Sequence, residues 1–194
     1  MRKLQILSLF FCLLLVTQAW GARYDIDPDH TEIGFSVRHM VITNVRGAFR
    51  KFSATFMVSD ANILESLAAE IDVASIDTRI QKRDDHLRSA DFFDAAAHPV
   101  MTFATTGVEP LPDGRYKVKG ILTIRGTSRE IELDGELAGP VTDPWGNRRM
   151  GVVLRGRIDR RDFGVAYNKV LETGGLLIDN EVAIHLEGEG ILKK

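Results

Sequence analysis

The residues of this chain that could do chemistry are few and poorly gathered. Five histidines, His30, His39, His86, His98 and His185, are scattered along it, and no two form a His-x-x-x-His pair. The single cysteine, Cys12, falls within an apolar N-terminal segment. Asp84, Asp85 and His86 are consecutive, but adjacent residues on a helix point in different directions and do not make a metal set. Arg160-Arg161-Asp162-Phe163-Gly164 contains the Asp-Phe-Gly of kinases, without the glycine-rich loop or catalytic-loop motif that would give it meaning. Ser75 and Ser89 lack a Gly-x-Ser-x-Gly setting. No catalytic residue, metal or cofactor is therefore expected. The polar residues worth following are Ser75, Asp77, Thr78, Arg83, Asp84 and His86, crowded into one charged stretch after a strand end. Asp77, Arg83, Asp84 and His86 either meet a ligand head group, form part of a lid, or only fasten a helix to the body.

The elements around that stretch read as strands. Period-two alternation places successive side chains on opposite faces. Ile131, Leu133, Gly135 and Leu137 oppose a row of carboxylates, and Met150, Val152, Leu154 and Ile158 oppose Arg155, Arg157 and Asp159. Val182, Ile184 and Leu186 likewise oppose His185, Glu187 and Glu189. Ile33, Phe35 and Val37 make an apolar row, as do Leu67, Ala69, Ile71 and Val73, then Met101 and Phe103, then Tyr116, Val118, Leu122 and Ile124. Val45, Gly47 and Phe49 change parity before Phe52, Ala54, Phe56 and Val58, which predicts a β-bulge near Arg50-Lys51. Asp113-Gly114 and Arg125-Gly126 signal hairpins, and Pro140 to Asn147 reads as a loop. Thr78 to Asp94 lacks alternation and predicts a helical insertion, capped by Asp77 or Thr78, through Ile80, Arg83, Leu87 and Ala90.

About eight amphipathic antiparallel strands must bury one face, and a closed all-β barrel does so without leaving an edge, a two-sheet sandwich being the alternative. The inward rows carry no Asp, Glu, His, Lys or Arg. Inward glycines (Gly47, Gly120, Gly135, Gly156, Gly188, Gly190) either leave room for one slim ligand or only relieve strand bending. The expected apolar pocket comprises Phe35, Val37, Val45, Phe49, Phe52, Ile71, Val73, Phe103, Leu122, Leu133, Met150, Leu154 and Ile184.

The N-terminus sets the compartment. Arg2 and Lys3 precede an apolar run from Leu4 to Val16, followed by Ala19, Gly21 and Ala22. That is the pattern of a cleavable secretory signal, too short to span a bilayer. Cleavage is expected after Gly21, with Ala19 or Ala22 as alternatives, leaving one domain over residues 22–194. That domain has no cysteine, no transmembrane segment, and 23 basic against 27 acidic residues, a net charge of −4. Nothing in it is basic enough to favour nucleic acid.

A set of short motifs carries a resemblance across the mature length. Tyr24-Asp25-Ile26-Asp27 with His30, Val45-Arg46-Gly47-Ala48-Phe49, Ser75-Ile76-Asp77-Thr78 and Arg83-Asp84-Asp85-His86-Leu87 come first. Asp91-Phe92-Phe93-Asp94 leading to His98-Pro99, Gly120 to Gly126, and Asp162-Phe163-Gly164 follow. In this order the chain resembles the YceI-like family of periplasmic polyisoprenoid-binding proteins. The resemblance implies an extended, lipocalin-like eight-stranded antiparallel barrel around an isoprenoid chain, export to the periplasm, and a homodimer. It implies no catalytic residue. Two other functions remain open from the residues: an enzyme acting on a lipid at the barrel mouth through Asp77, Arg83, Asp84 or His86, and an interaction or stress module whose barrel is filled by Phe35, Phe49, Phe52, Phe56 and Phe103.

Overall fold

A computed structural model describes residues 21–171 and 175–193. Of the expected signal segment, residues 1–21, all but Gly21 lies outside the described residues.

Among the described residues the chain forms eleven strand segments, one α-helix and three 3₁₀ turns. The strands are β1 (Ala22–Ile26), β2 (Glu32–His39), β3 (Thr43–Phe49), β4 (Phe52–Val58), β5 (Leu64–Asp72), β6 (Ile76–Asp77), β7 (Val100–Pro110), β8 (Tyr116–Ile124), β9 (Thr127–Thr142), β10 (Arg148–Asp159) and β11 (Ile178–Leu192). Eight of them close a ring in the order β1-β4-β5-β7-β8-β9-β10-β11, with every pair antiparallel. β11 is shared: Gly190 to Leu192 pair with β1, and Ile178 to Glu187 pair with β2. β2, β3 and β6 continue the wall beyond β1, β4 and β5. Eight long strands, three of them broken in two, thus make a closed antiparallel barrel, and a two-sheet sandwich is excluded.

The three breaks have local causes. Asp27 accepts from the Asp29 N–H and Pro28 starts a 3₁₀ turn between β1 and β2. Near Arg50-Lys51, where a β-bulge is expected, the strand instead breaks at these two residues, separating β3 from β4. Asp72 caps a 3₁₀ turn before β6 by accepting from the Ala74 N–H. These corners touch one another: the Arg50 N–H donates to the Ser75 carbonyl and the Lys51 N–H to Ser75 Oγ. Bending three neighbouring strands at one level divides the barrel into two ends.

Two turns follow their sequences. Arg125 and Gly126 both take positive φ between β8 and β9, and Gly114 does so before β8. Two expectations fail. β9 runs through Pro140 to Thr142, so only residues 143–147 form the loop, nucleated by Asp143, whose carboxylate accepts from the Trp145 and Asn147 N–H groups. The helix α1 is Gln81–Arg88, shorter than expected, and its N-cap position is Ile80, with no side-chain cap. Asp77 and Thr78 stand outside it, and Ala90 lies beyond its end.

Candidate ligand-binding cavity

An internal cavity of about 350 Å³ occupies the barrel end enclosed by β2, β3 and the facing halves of β5, β7 to β11. Volumes of this order suit a small-molecule site. Its wall contains ten of the expected pocket residues: Phe35, Val37, Val45, Phe49, Ile71, Phe103, Leu122, Leu133, Leu154 and Ile184. Ile33, Met101, Ile131, Ile158 and Val182 from the same inward rows complete it.

Phe52, Val73 and Met150 are absent from that wall. Val73 sits in the corner turn before β6, buried by the bend. Met150 points inward but into the other end, which is packed solid. Phe52 starts β4 at the corner, half-buried against the core. Alternation gives the face of a strand but not the level along the barrel axis, and level decides between wall and plug.

The solid end is built from Tyr24, Phe56, Val58, Leu64, Val118, Met150 and Val152, each at most 2% exposed. Tyr24 and Phe56 stack with ring centres 5.2 Å apart and planes 7° from parallel, an arrangement worth about 0.5–1.5 kcal/mol beyond its buried area. The inward glycines do not create the hollow. A Cβ on Gly47 would lie 2.5 Å from the Phe35 ring, and one on Gly120 would strike Phe103. The other inward glycines are likewise closely covered: Gly190 by Phe56, Gly135 by Leu154 and Val118, Gly156 by Leu133 and Gly188 by Thr31. The cavity is left where no side chain reaches the axis.

Two chain segments cover the hollow end: the insertion, residues 78–98, and the segment 160–171, with Leu177 beside it. They meet through His86, Phe92 and Tyr167, whose rings lie pairwise with centres 5.0 Å apart. Arg125 ties them together, its Nη1 donating to the carbonyls of Phe92 and Gly164 at 3.0 Å each. Among the described residues, the polar side chains of the wall come from this cover and its margin, as Arg83, His86, Arg160, Tyr167 and His39, and no carboxylate is among them. His185 stands on the outward face, as its alternation implies, opposite Gly34 and with Nε2 2.9 Å from the exposed Glu32.

The four head-group candidates separate. Arg83 lines the cavity while its Nε and Nη2 donate to Thr78 Oγ1 and the Thr78 carbonyl, both at 2.7 Å. His86 lines it with Nε2 paired to Asp91 at 2.8 Å. Asp84 is buried away from the cavity and accepts from the Thr78 N–H and Oγ1, so it fastens the start of the insertion. Asp77 faces outward, accepting from the Arg79 N–H and pairing with Arg50, and these donors lower its pKa. Neither Asp77 nor Asp84 lines the cavity.

Arg160 is the residue that sequence reasoning missed. It is 6% exposed, and among the described residues its guanidinium is held by oxygen atoms of backbone carbonyls and of Asn180. Nε donates to the Asp179 carbonyl at 2.8 Å, and Nη1 to the carbonyls of Val165 and Tyr167 at 2.6 and 2.9 Å. Burial lowers its pKa, although an arginine remains charged at any pH of interest. It holds the covering segment in shape by filling carbonyls that would otherwise be orphaned. Its signal, an Arg followed by a buried Phe163 and a left-handed Gly164, was present in the motif set aside as a chance match.

With this geometry in view, the relatives become informative. The YceI-like domain description matches residues 24–190. The chain belongs to this family. A Vibrio cholerae YceI-like relative, a UPF0312 protein, is 34% identical over 87% of both chains. Protein YceI of Escherichia coli O157:H7 is 33% identical over 84% of this chain and 87% of its own. The crystal structure of the Campylobacter jejuni YCEI protein superposes with a TM-score of 0.71 at 32% identity, covering 81% of this chain and 90% of that one. A polyisoprenoid binding domain from Saccharophagus degradans shares the YceI-like fold with a TM-score of 0.63 at 16% identity, over 89% and 99% of the two chains.

Proposed function

We propose that this YceI-like protein holds a polyisoprenoid or similar long-chain lipid, of the kind found in quinone precursors, in the hollow end of its barrel and stores, shields or ferries it in the periplasm. The observation that carries the reading is the wall: hydrocarbon from eight strands around about 350 Å³, with polar groups confined to the cover at one end. An isoprenoid tail would lie among Phe35, Val45, Phe49, Phe103 and Ile184, with a polar head beneath Arg83, His86 and Tyr167. Each buried five-carbon unit contributes about 3–4 kcal/mol, so a few units offset the roughly 4–15 kcal/mol that association costs. The His86–Asp91 pair lies in the cover, at the margin of a wall that is otherwise hydrocarbon, so the site is read first as a binding site. The related fold in S. degradans, a polyisoprenoid binding domain, supports the same ligand class. Export rests on the N-terminal pattern, with residues 1–21 removed.

Mass spectrometry of an organic extract of natively purified protein tests the ligand. A long-chain isoprenoid near one equivalent is expected, and repeated absence of any lipid would overturn the reading. N-terminal sequencing of protein from the periplasmic fraction tests export, with Ala22 expected as the first residue.

A further inference from the structure

The hairpin joining β2 to β3 ends in Met40, Val41 and Ile42, which are 41%, 63% and 75% exposed. Met40 and Val41 both take positive φ, 52° and 64°, and the Ile42 N–H donates back to the His39 carbonyl at 3.1 Å. That is a two-residue turn whose geometry favours Asn-Gly, and a β-branched residue at positive φ is disfavoured. Apolar side chains are thus displayed at a position where folding alone would select polar or glycine residues. The tip stands at the cavity margin: His39 and Val37 line the cavity, and the Met40 N–H donates to the carbonyl of Leu177, another lining residue. Beside it, Val170 is 74% exposed.

The charged side chains of the tip hairpin itself are basic, and Lys169 adds another beside it. Between Arg38 and Arg46 the chain has no carboxylate, and Lys169 precedes Val170. Arg38 Nε donates to the Val41 carbonyl. The carboxylates at the nearby start of β11 are engaged, Asp179 by the N–H groups of Asn180 and Glu181, and Glu181 by Arg157. A second copy of the chain docked tip to tip would press Arg38, Arg46 and Lys169 against the same cations.

From this combination we infer that the Met40-Val41-Ile42 tip is a membrane-docking element that inserts into the surface of a bilayer containing anionic lipid, with Arg46 and Lys169 at the head groups. Apolar side chains under a basic rim are how peripheral proteins gain a shallow hold on such a surface. The inference rests on the carrier reading for its purpose, since docking here would place the cavity margin against the hydrocarbon and let a lipid pass without crossing water. Its physics is independent of that reading.

Co-sedimentation with vesicles tests it, using phosphatidylcholine alone or mixed with phosphatidylglycerol. Wild-type protein is expected to bind the mixed vesicles and to lose affinity with added salt. The double variant Val41→Asp/Ile42→Asp should weaken binding at least about tenfold, and Arg46→Gln and Lys169→Gln about fivefold each. The variants should retain the wild-type melting temperature, and a second tip variant, Val41→Asn/Ile42→Ser, covers the case in which the aspartates disturb folding. Failure of the wild-type protein to bind either vesicle overturns the inference. So does a wild-type dimer, seen by analytical ultracentrifugation, that the tip variants convert to monomer, because the tip would then be an interface between copies. Lipid content is measured on the same preparations: lipid-loaded protein that ignores vesicles sinks docking alone, and vesicle-binding protein that yields no lipid sinks the carrier reading alone.

Discussion

The two ends of this barrel are made from the same alternating strands, yet one is a plug and the other a room. At the closed end Tyr24, Phe56, Val118, Met150 and Val152 meet on the axis with almost no exposure. At the other end Phe35, Phe49 and Phe103 lie along the wall and leave the axis empty. The closed end is also clamped from outside. Arg149 donates to Asp27, Asp143 and Glu189 at 2.7, 2.8 and 3.1 Å, joining the first strand, the β9–β10 loop and the last strand. The open end has instead a cover of two irregular segments, held by Arg125, Arg160 and three touching rings. The difference teaches a division of labour: one end supplies the stability that the other can spend on a cavity.

Truncating one ring at each end should expose that division. Phe56→Ala is expected to cost about 3–5 kcal/mol in urea unfolding, whereas Phe35→Ala should cost about half as much or less, because it enlarges a space that already exists. Equal costs would mean that the two ends are packed alike. Arg160→Ala should cost about 2–4 kcal/mol through its orphaned carbonyls. The loss should appear first as faster amide exchange in residues 160–171 and not as a change at the plug.

Adding volume should give the opposite contrast. Val118→Phe overpacks the plug and is expected to destabilise by about 1–3 kcal/mol. Val45→Phe should leave unfolding nearly unchanged while reducing the lipid recovered in an organic extract. Recovery at the wild-type level would place the ligand elsewhere.

The smallest effect concerns acid. Arg149 is the leading cause of the lowered pKa of both Asp143 and Asp27. A carboxylate depressed in the folded state contributes stability above its unfolded pKa, near 4, and loses it as pH falls through the folded value. Wild-type stability should therefore decline below about pH 4, and Arg149→Gln should flatten that decline. A variant with an unchanged acid limb would show that the clamp does not contribute.

Much of this was legible because alternation is a local property. The rows through Ile33, Leu133, Leu154 and Ile184 gave strand faces, and the parity change at Arg50-Lys51 gave a corner. What stayed hidden is non-local. Met150 and Leu154 belong to one inward row, but only the axial offset between strands places one in the plug and the other in the wall. Arg160 drew no role from the sequence because its partners are mostly backbone carbonyls, which have no signature there. Pro140 suggested a loop, yet β9 carries it and continues to Thr142. Asp84 looked like a site residue because a buried carboxylate serving Thr78 has the same composition as a ligand contact.

The account depends most on where an apolar chain sits. Methyl NMR of delipidated protein titrated with a polyisoprenoid alcohol reads this directly. The methyls of Val37, Val45, Val182 and Ile184 should shift on loading while those of Val58, Val118 and Val152 stay in place. Shifts at the plug methyls, or none at the wall, would contradict the division of the barrel into a solid end and a binding end.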